Sequence, residues 1–138
     1  MFEKTSRTVL VVDDDCSIRQ LVGAILESNG FTVLLAQDGL EALELSRKHP
    51  QPIDILLSDI EMPRMDGFAL SRILGKERPE LAFVLMSGCA TEKEQIPAGA
   101  VFLAKPFSED VLILRLRQSL GAAGRSRSTF SSSAVDVA

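Results

Sequence analysis

Five short apolar runs punctuate this 138-residue chain: Thr8–Val12, Phe31–Ala36, Ile53–Leu57, Ala82–Met86 and Val101–Ala104. They are rich in Val, Ile and Leu and do not alternate with polar residues, the pattern of strands buried on both faces. The segments between most of them change period. Ile18, Leu21, Val22, Ile25 and Leu26 recur at helical spacing, and Asn29-Gly30 closes that helix. Asp38 with Glu41 has the form of a capping box, opening a helix to about Lys48 that His49-Pro50-Gln51-Pro52 stops. Phe68, Leu70, Ile73 and Leu74 mark a third helix, broken at Pro79. Ser108 caps a last one carrying Val111, Leu112, Leu114, Leu116 and Leu120. Buried strands alternating with helices dictate an α/β parallel sheet covered on both faces, with right-handed crossovers. Such sheets place ligands beyond the carboxyl ends of their strands.

The length suits one core, assigned to residues 1–120. From Gly121 the composition turns to Gly, Ala, Ser and Arg without apolar period, so 121–138 is expected to be a flexible tail with no further domain after it. The apolar runs are far below the roughly 20 residues a membrane helix needs. Met1–Arg7 also lacks the apolar core of a signal peptide. No membrane insertion and a cytoplasmic setting are therefore expected. A net charge of −4 offers no basic field for a phosphate backbone, which argues against direct nucleic-acid binding. Cys16 and Cys89 are too far apart in sequence for a metal motif and read as inert small residues in a reducing compartment. The single His49 reads as a solvated helix end and makes a zinc site improbable.

The polar residues of interest fall at strand ends. Asp13 and Asp14 follow the first run, Asp59 the third, Ser87 the fourth and Lys105 the fifth. All five therefore project from one sheet edge. Taken singly, each has an ordinary explanation: an Asp pair caps a helix, Ser87-Gly88 and Asp66-Gly67 are turns, and a lysine before proline is common. Taken together they are a cluster of carboxylates whose mutual repulsion a cation would relieve. Oxygen donors without His or Cys suit Mg²⁺. A lysine and a hydroxyl beside such an ion suit a transferring phosphoryl group, and an Asp can itself be the nucleophile.

These motifs carry a family resemblance. Val11-Val12-Asp13-Asp14-Asp15, then Leu57-Ser58-Asp59-Ile60-Glu61-Met62-Pro63-Arg64-Met65-Asp66-Gly67, Met86-Ser87-Gly88 and Lys105-Pro106-Phe107 resemble the receiver domain of bacterial two-component response regulators, over roughly residues 7–120. The resemblance implies a flavodoxin-like, doubly wound five-stranded parallel sheet of order 2-1-3-4-5. It implies Asp59 as phosphoacceptor, with Mg²⁺ held by Asp14 directly, by Asp13 through water, by Asp59 and by the Glu61 backbone carbonyl. Lys105 would contact the phosphoryl group, and the Lys105–Pro106 bond would be cis. Ser87 and Phe102 would be the paired switch residues, moving together after transfer. The implied donor is a phosphohistidine of a sensor histidine kinase or histidine phosphotransfer protein; the downstream target is not implied. Catalysis beyond self-phosphorylation and slow self-dephosphorylation is not expected.

Two departures from the family pattern stand out. Phe102 lacks the hydroxyl of the frequent tyrosine. The Ser87–Lys105 stretch is about one helical turn short and contains Pro97 and Gly99, so the fourth helix is expected to be shortened or missing. Segments shortened in this way resemble receivers attached to hybrid histidine kinases; a stand-alone relay protein is the other form. Two competing readings remain open at this stage. In a haloacid-dehalogenase-like phosphohydrolase, Asp13 would be the nucleophile and Asp15 the acid/base, with Ser87 and Lys105 as later motifs, but Asp59–Gly67 would go unexplained. In a binding module that keeps only the fold, no phosphorylation would occur.

Overall fold

The computed structural model describes residues 6–132, with side chains given for all of these except 90–92 and 122–132. Strands β1 (Thr8–Val12), β2 (Thr32–Ala36), β3 (Ile55–Asp59), β4 (Ala82–Ser87) and β5 (Val101–Ala104) form one sheet. Its order is β2-β1-β3-β4-β5, and every pairing is parallel. Helices α1 (Cys16–Ser28), α2 (Gly39–Lys48), α3 (Gly67–Glu77) and α4 (Glu109–Ser132) provide the cover. The expected fold class is the one observed.

The central strands β1, β3 and β4 are buried because each face has its own helical layer, whereas the edge strands β2 and β5 are only partly covered. Val9, Val11, Ile55, Leu57, Val84, Met86 and Leu103 pack with Val22 and Leu26 of α1 and Leu112 and Leu116 of α4. Leu10, Val12 and Leu56 point the other way and pack with Leu43 of α2 and Leu70 and Leu74 of α3. This period-2 division explains why β1 reads as an unbroken apolar run: both of its faces need apolar side chains.

The caps form as the sequence indicated. Asp38 Oδ1 accepts from Glu41 N at 2.8 Å as in a capping box, while the return bond is displaced by one residue: Glu41 Oε1 accepts from Gln37 N at 2.7 Å, not from the N-cap itself. Ser108 Oγ accepts from Val111 N at 3.2 Å. Gly30 takes φ +91°, which suits a residue without Cβ just past a helix end.

Four readings need correction or refinement. β3 begins two residues later than the apolar run, at Ile55, and ends at Asp59 as expected: Ser58 still pairs with β1 and β4, and Asp59 with β4. Leu21 is 60% exposed, Leu114 50% and Val111 36%. On α1, Leu21 lies roughly 90° round the helix from the centre of the Ile18, Val22, Ile25, Leu26 stripe, outside the arc that meets the sheet. The connection between β4 and β5 is a single 3-10 segment, Ala90–Gln95, where the sequence indicated a shortened or missing helix; the fourth α-helix of the chain is the one after β5. Finally, α4 continues past residue 120 to Ser132, so the first part of the expected tail is helical. Extending a helix already nucleated by the Leu112–Leu116 packing needs no apolar period of its own. Residues 133–138 of the expected tail lie outside the described residues.

Candidate functional site

The carboxyl edge of the sheet is tied together by backbone bonds just beyond the ladders. Asp13 N donates to Ala36 O, Ile60 N to Met86 O, and Lys105 N to Ser87 O, at 3.2, 2.9 and 2.9 Å. These bonds set the ends of β1, β3 and β5 at one level. The register places Val12 beside Ser58, Asp59 beside Met86 and Ser87 beside Ala104. Asp13, Asp59, Ser87 and Lys105 therefore meet because each ends or follows a strand in the same sheet.

One oxygen from each of Asp13, Asp14 and Asp59 lies within 4.8 Å of the others. Asp13 and Asp59 are buried, whereas Asp14 is exposed. Lys105 Nζ bridges two of them, 3.0 Å from Asp13 Oδ2 and 3.3 Å from Asp59 Oδ1. One ammonium cannot neutralise three carboxylates, so the site carries excess negative charge. Burial pushes the Asp59 carboxyl up to about 6; Asp13 and Asp14 add to the rise, and Lys105 limits it. Burial also disfavours the Lys105 ammonium, but its hydrogen bond to Asp13 and the nearby Asp59 charge prevail and raise its pKa. The Lys105–Pro106 peptide is cis, as expected.

Asp59 is also held from behind. α3 begins at Gly67, whose N–H donates to Ile60 O at 2.8 Å. A Cβ at this position would lie 2.5 Å from Asp59 O and 2.9 Å from Ile60 Cα. Only glycine lets the helix approach the strand end this closely. Asp66 caps the same helix, accepting from Ala69 N at 2.9 Å.

Ser87 is buried at the end of β4 and its Oγ accepts from Cys89 N at 2.8 Å. It shares a cleft of about 570 Å³ with Phe102, Lys105, Lys93, Arg115 and neighbouring backbone. Phe102 is half-buried on β5, opposite Leu85. The two expected switch residues thus line one cavity, and Lys105 connects that cavity to the carboxylates. Glu61 sits two residues beyond Asp59 on the loop at the same edge, with an exposed side chain that is outside the carboxylate cluster.

Two contacts were not anticipated. Arg64, at φ +70°, turns the loop after Pro63 and reaches Asp38 Oδ2 at 3.2 Å, joining the loop beside Asp59 to the cap of α2. Arg19 on α1 donates from Nη1 to the Asp13 backbone carbonyl at 2.7 Å. Nothing in the sequence distinguishes Arg19 from an ordinary surface arginine, because its partner is a main-chain atom. The position of Arg64 between Pro63 and Met65 in a loop was the available signal for a turn.

The donor set fits a divalent cation of the Mg²⁺ class: three carboxylates, no nitrogen or sulfur, and an uncompensated negative charge. Asp15, the acid/base of the hydrolase reading, is otherwise engaged. Its Oδ1 accepts from Ile18 N at 3.1 Å and caps α1.

A family model described as the response regulator receiver domain matches residues 9–117. The chain is 40% identical over 119 residues to sensor kinase CckA of Brucella abortus, covering 83% of this chain and 13% of that kinase. It is 38% identical over 116 residues to response regulator MprA of Mycobacterium ulcerans, covering 81% of this chain and 49% of the regulator. It thus spans half or less of these two relatives. Among solved structures, chemotaxis response regulator CheY4 of Vibrio cholerae superposes with a TM-score of 0.75 at 31% identity, covering 84% of this chain and all of the other. The receiver domain of hybrid histidine kinase CckA superposes with a TM-score of 0.72 at 32% identity, covering 82% and 98% of the two chains.

Proposed function

This chain belongs to the response regulator receiver domain family of two-component signal transduction, and on that premise we propose that Asp59 is its phosphoacceptor. An Asp59 carboxylate oxygen attacks the phosphorus of a phosphohistidine. The P–N bond breaks, the imidazole leaves as the neutral base after taking up a proton, and an aspartyl acyl phosphate results. Water later cleaves the acyl phosphate to return Asp59 and inorganic phosphate. The observation that carries this reading is the meeting of three carboxylates within 4.8 Å, with the Lys105 ammonium 3.3 Å from Asp59.

Each side chain has a task in that transfer. Burial holds Asp59 in one orientation and strips it of water, which favours in-line attack. Lys105 exchanges part of its contact with Asp59 for the incoming phosphoryl oxygens and keeps its hydrogen bond to Asp13 as an anchor. Asp13, Asp14 and Asp59, with the Glu61 carbonyl, would hold Mg²⁺, which when bound supplies positive charge against the phosphoryl oxygens. The Ser87 hydroxyl turns from Cys89 toward the new phosphoryl group, and Phe102, in the same cleft, responds to the vacated space. Phosphorylation thereby biases the surface of β4, β5 and α4.

The phosphoryl source is a sensor histidine kinase or histidine phosphotransfer protein. The likeness to a hybrid kinase receiver supports a place in a relay of that kind. No helix among the described residues is long and apolar enough to cross a membrane, and we place the protein in the cytoplasm, without nucleic acid as a direct partner. Its own chemistry is limited to self-phosphorylation and slow self-dephosphorylation. The hydrolase reading is not favoured: the Asp59–Gly67 segment it leaves unexplained lies inside the matched receiver region. Incubation with a small acyl phosphate, with Mg²⁺ or with a chelator, tests the proposal. One phosphoryl group is taken up only with Mg²⁺; uptake in chelator or none at all contradicts it.

A further inference from the structure

The Asp14 carboxylate belongs to the cluster, yet Asp14 is exposed, so packing does not hold it. The direction in which its Cα–Cβ bond leaves the chain is set by the two peptide groups that flank it. The N–H of the following residue, Asp15, donates to Asp13 Oδ1 at 2.9 Å, which fixes the plane between residues 14 and 15. The plane between 13 and 14 carries the Asp13 carbonyl, and β1 has already ended at Val12. Arg19 takes this carbonyl, with Nη1 at 2.7 Å. With both planes fixed, the backbone torsions of Asp14 are set, and so is the direction of its Cα–Cβ bond. Arg19 is itself held: its N–H donates to Asp15 O at 2.9 Å, and α1 packs on the sheet through Val22 and Leu26. Among the described residues its guanidinium forms no ion pair. It is not there to neutralise a neighbouring carboxylate.

We infer that Arg19 is a positioning residue for divalent-cation binding: by holding the Asp13 carbonyl it aims the exposed Asp14 carboxylate into the cluster. The inference rests on the receiver reading above and concerns how that reading's metal site is kept in shape. Its signature is a sign. A guanidinium beside a cation site repels the cation, so removing it as a mere bystander charge would tighten Mg²⁺ binding. Removing it as a positioning group weakens binding, because an outer partner that orients a ligand commonly matters by tenfold or more.

The test is Mg²⁺ titration of the full chain by calorimetry, since a chain without Trp or Tyr offers no convenient intrinsic fluorescence. Arg19→Gln keeps helix propensity and removes the charge; Arg19→Lys keeps the charge and one donor group. The expected result is a Mg²⁺ dissociation constant about tenfold higher for Arg19→Gln, with Arg19→Lys between it and the native chain. Circular dichroism in chelator should show both variants folded. Phosphorylation of Arg19→Gln should be slow at limiting Mg²⁺ and recover at high Mg²⁺, a shift in the metal requirement rather than in the maximal rate. Equal or tighter Mg²⁺ binding by Arg19→Gln overturns the inference while leaving the receiver reading intact. Absence of Mg²⁺ binding by the native chain overturns both.

Discussion

The Lys105 ammonium stands 3.3 Å from Asp59 Oδ1, although 46 positions of sequence separate the two residues (105 − 59 = 46). β4 lies between their strands, and the bond from Lys105 N to Ser87 O sets the level at which the lysine leaves the sheet. The contact is thus a property of the sheet order. It also leaves Asp59 with less counter-charge than it needs, because Lys105 is shared with Asp13.

Asp59→Asn should abolish phosphoryl uptake and stabilise the metal-free protein at neutral pH. The folded-state pKa of Asp59, about 6, lies above the usual value of 3.8. The folded state therefore binds the extra proton between these two values. The contribution of Asp59 to stability is fully present below about pH 4, is lost as pH rises through 6, and stays lost above it. The penalty in the ionised state is up to about 3 kcal/mol. Thermal melts in chelator should show the native chain losing stability from pH 4 to 6.5 and Asp59→Asn losing less, with a melting temperature a few degrees higher at pH 7.5. A lower melting temperature for the variant at pH 7.5 contradicts this.

Lys105→Ala should act in the opposite direction. It leaves Asp13 and Asp59 facing each other without a counter-ion, at a cost of about 2–4 kcal/mol in chelator. Mg²⁺ should recover much of that loss, because its carboxylate ligands remain. Phosphorylation should then fail to move Ser87 and Phe102, read from the chemical shifts of β4 and β5. An unchanged response in this variant would remove Lys105 from its assigned role.

Gly67→Ala should harm the site without touching a polar group. The added carbon would meet Asp59 O at 2.5 Å, so either α3 or the end of β3 must move. About 1–3 kcal/mol of destabilisation is expected from such overpacking, measured by denaturant unfolding. Phosphoryl uptake should slow as Asp59 shifts. Wild-type stability and uptake in Gly67→Ala would show that the approach is not tight.

How far the sequence could be read follows from the kind of force that sets each element. β1 and β5 were legible to the residue because their ends coincide with an abrupt change from apolar to polar side chains. The end of β3 at Asp59 was legible too, but its start was set two residues early, because Ile53 is apolar and buried without belonging to the strand. The convergence of Asp13, Asp14, Asp59 and Lys105 was legible because all follow from strand ends in one parallel sheet. The roles of Arg19 and Arg64 were not, since one binds a carbonyl and the other depends on where the α2 cap sits relative to the β3–α3 loop. Leu21, Val111 and Leu114 misled because apolar character alone does not place a residue on the arc that meets the sheet.

Residues beyond 120 should be dispensable for folding and for phosphoryl uptake. The buried positions of α4 with described side chains are Leu112, Leu116 and Ser119, all before that point. A chain ending at Leu120 should melt within a few degrees of the full one and take up phosphate at a similar rate. A large loss in either would place part of the core in the last helical turns.

The central claim is that Asp59 receives the phosphoryl group. The most direct measurement treats the full chain with a small acyl phosphate and Mg²⁺, reduces the aspartyl phosphate with borohydride, and locates the resulting homoserine by peptide mass spectrometry. The account predicts homoserine at position 59 and none in the Asp59→Asn variant; label at Asp13, or label that survives Asp59→Asn unchanged, would contradict it.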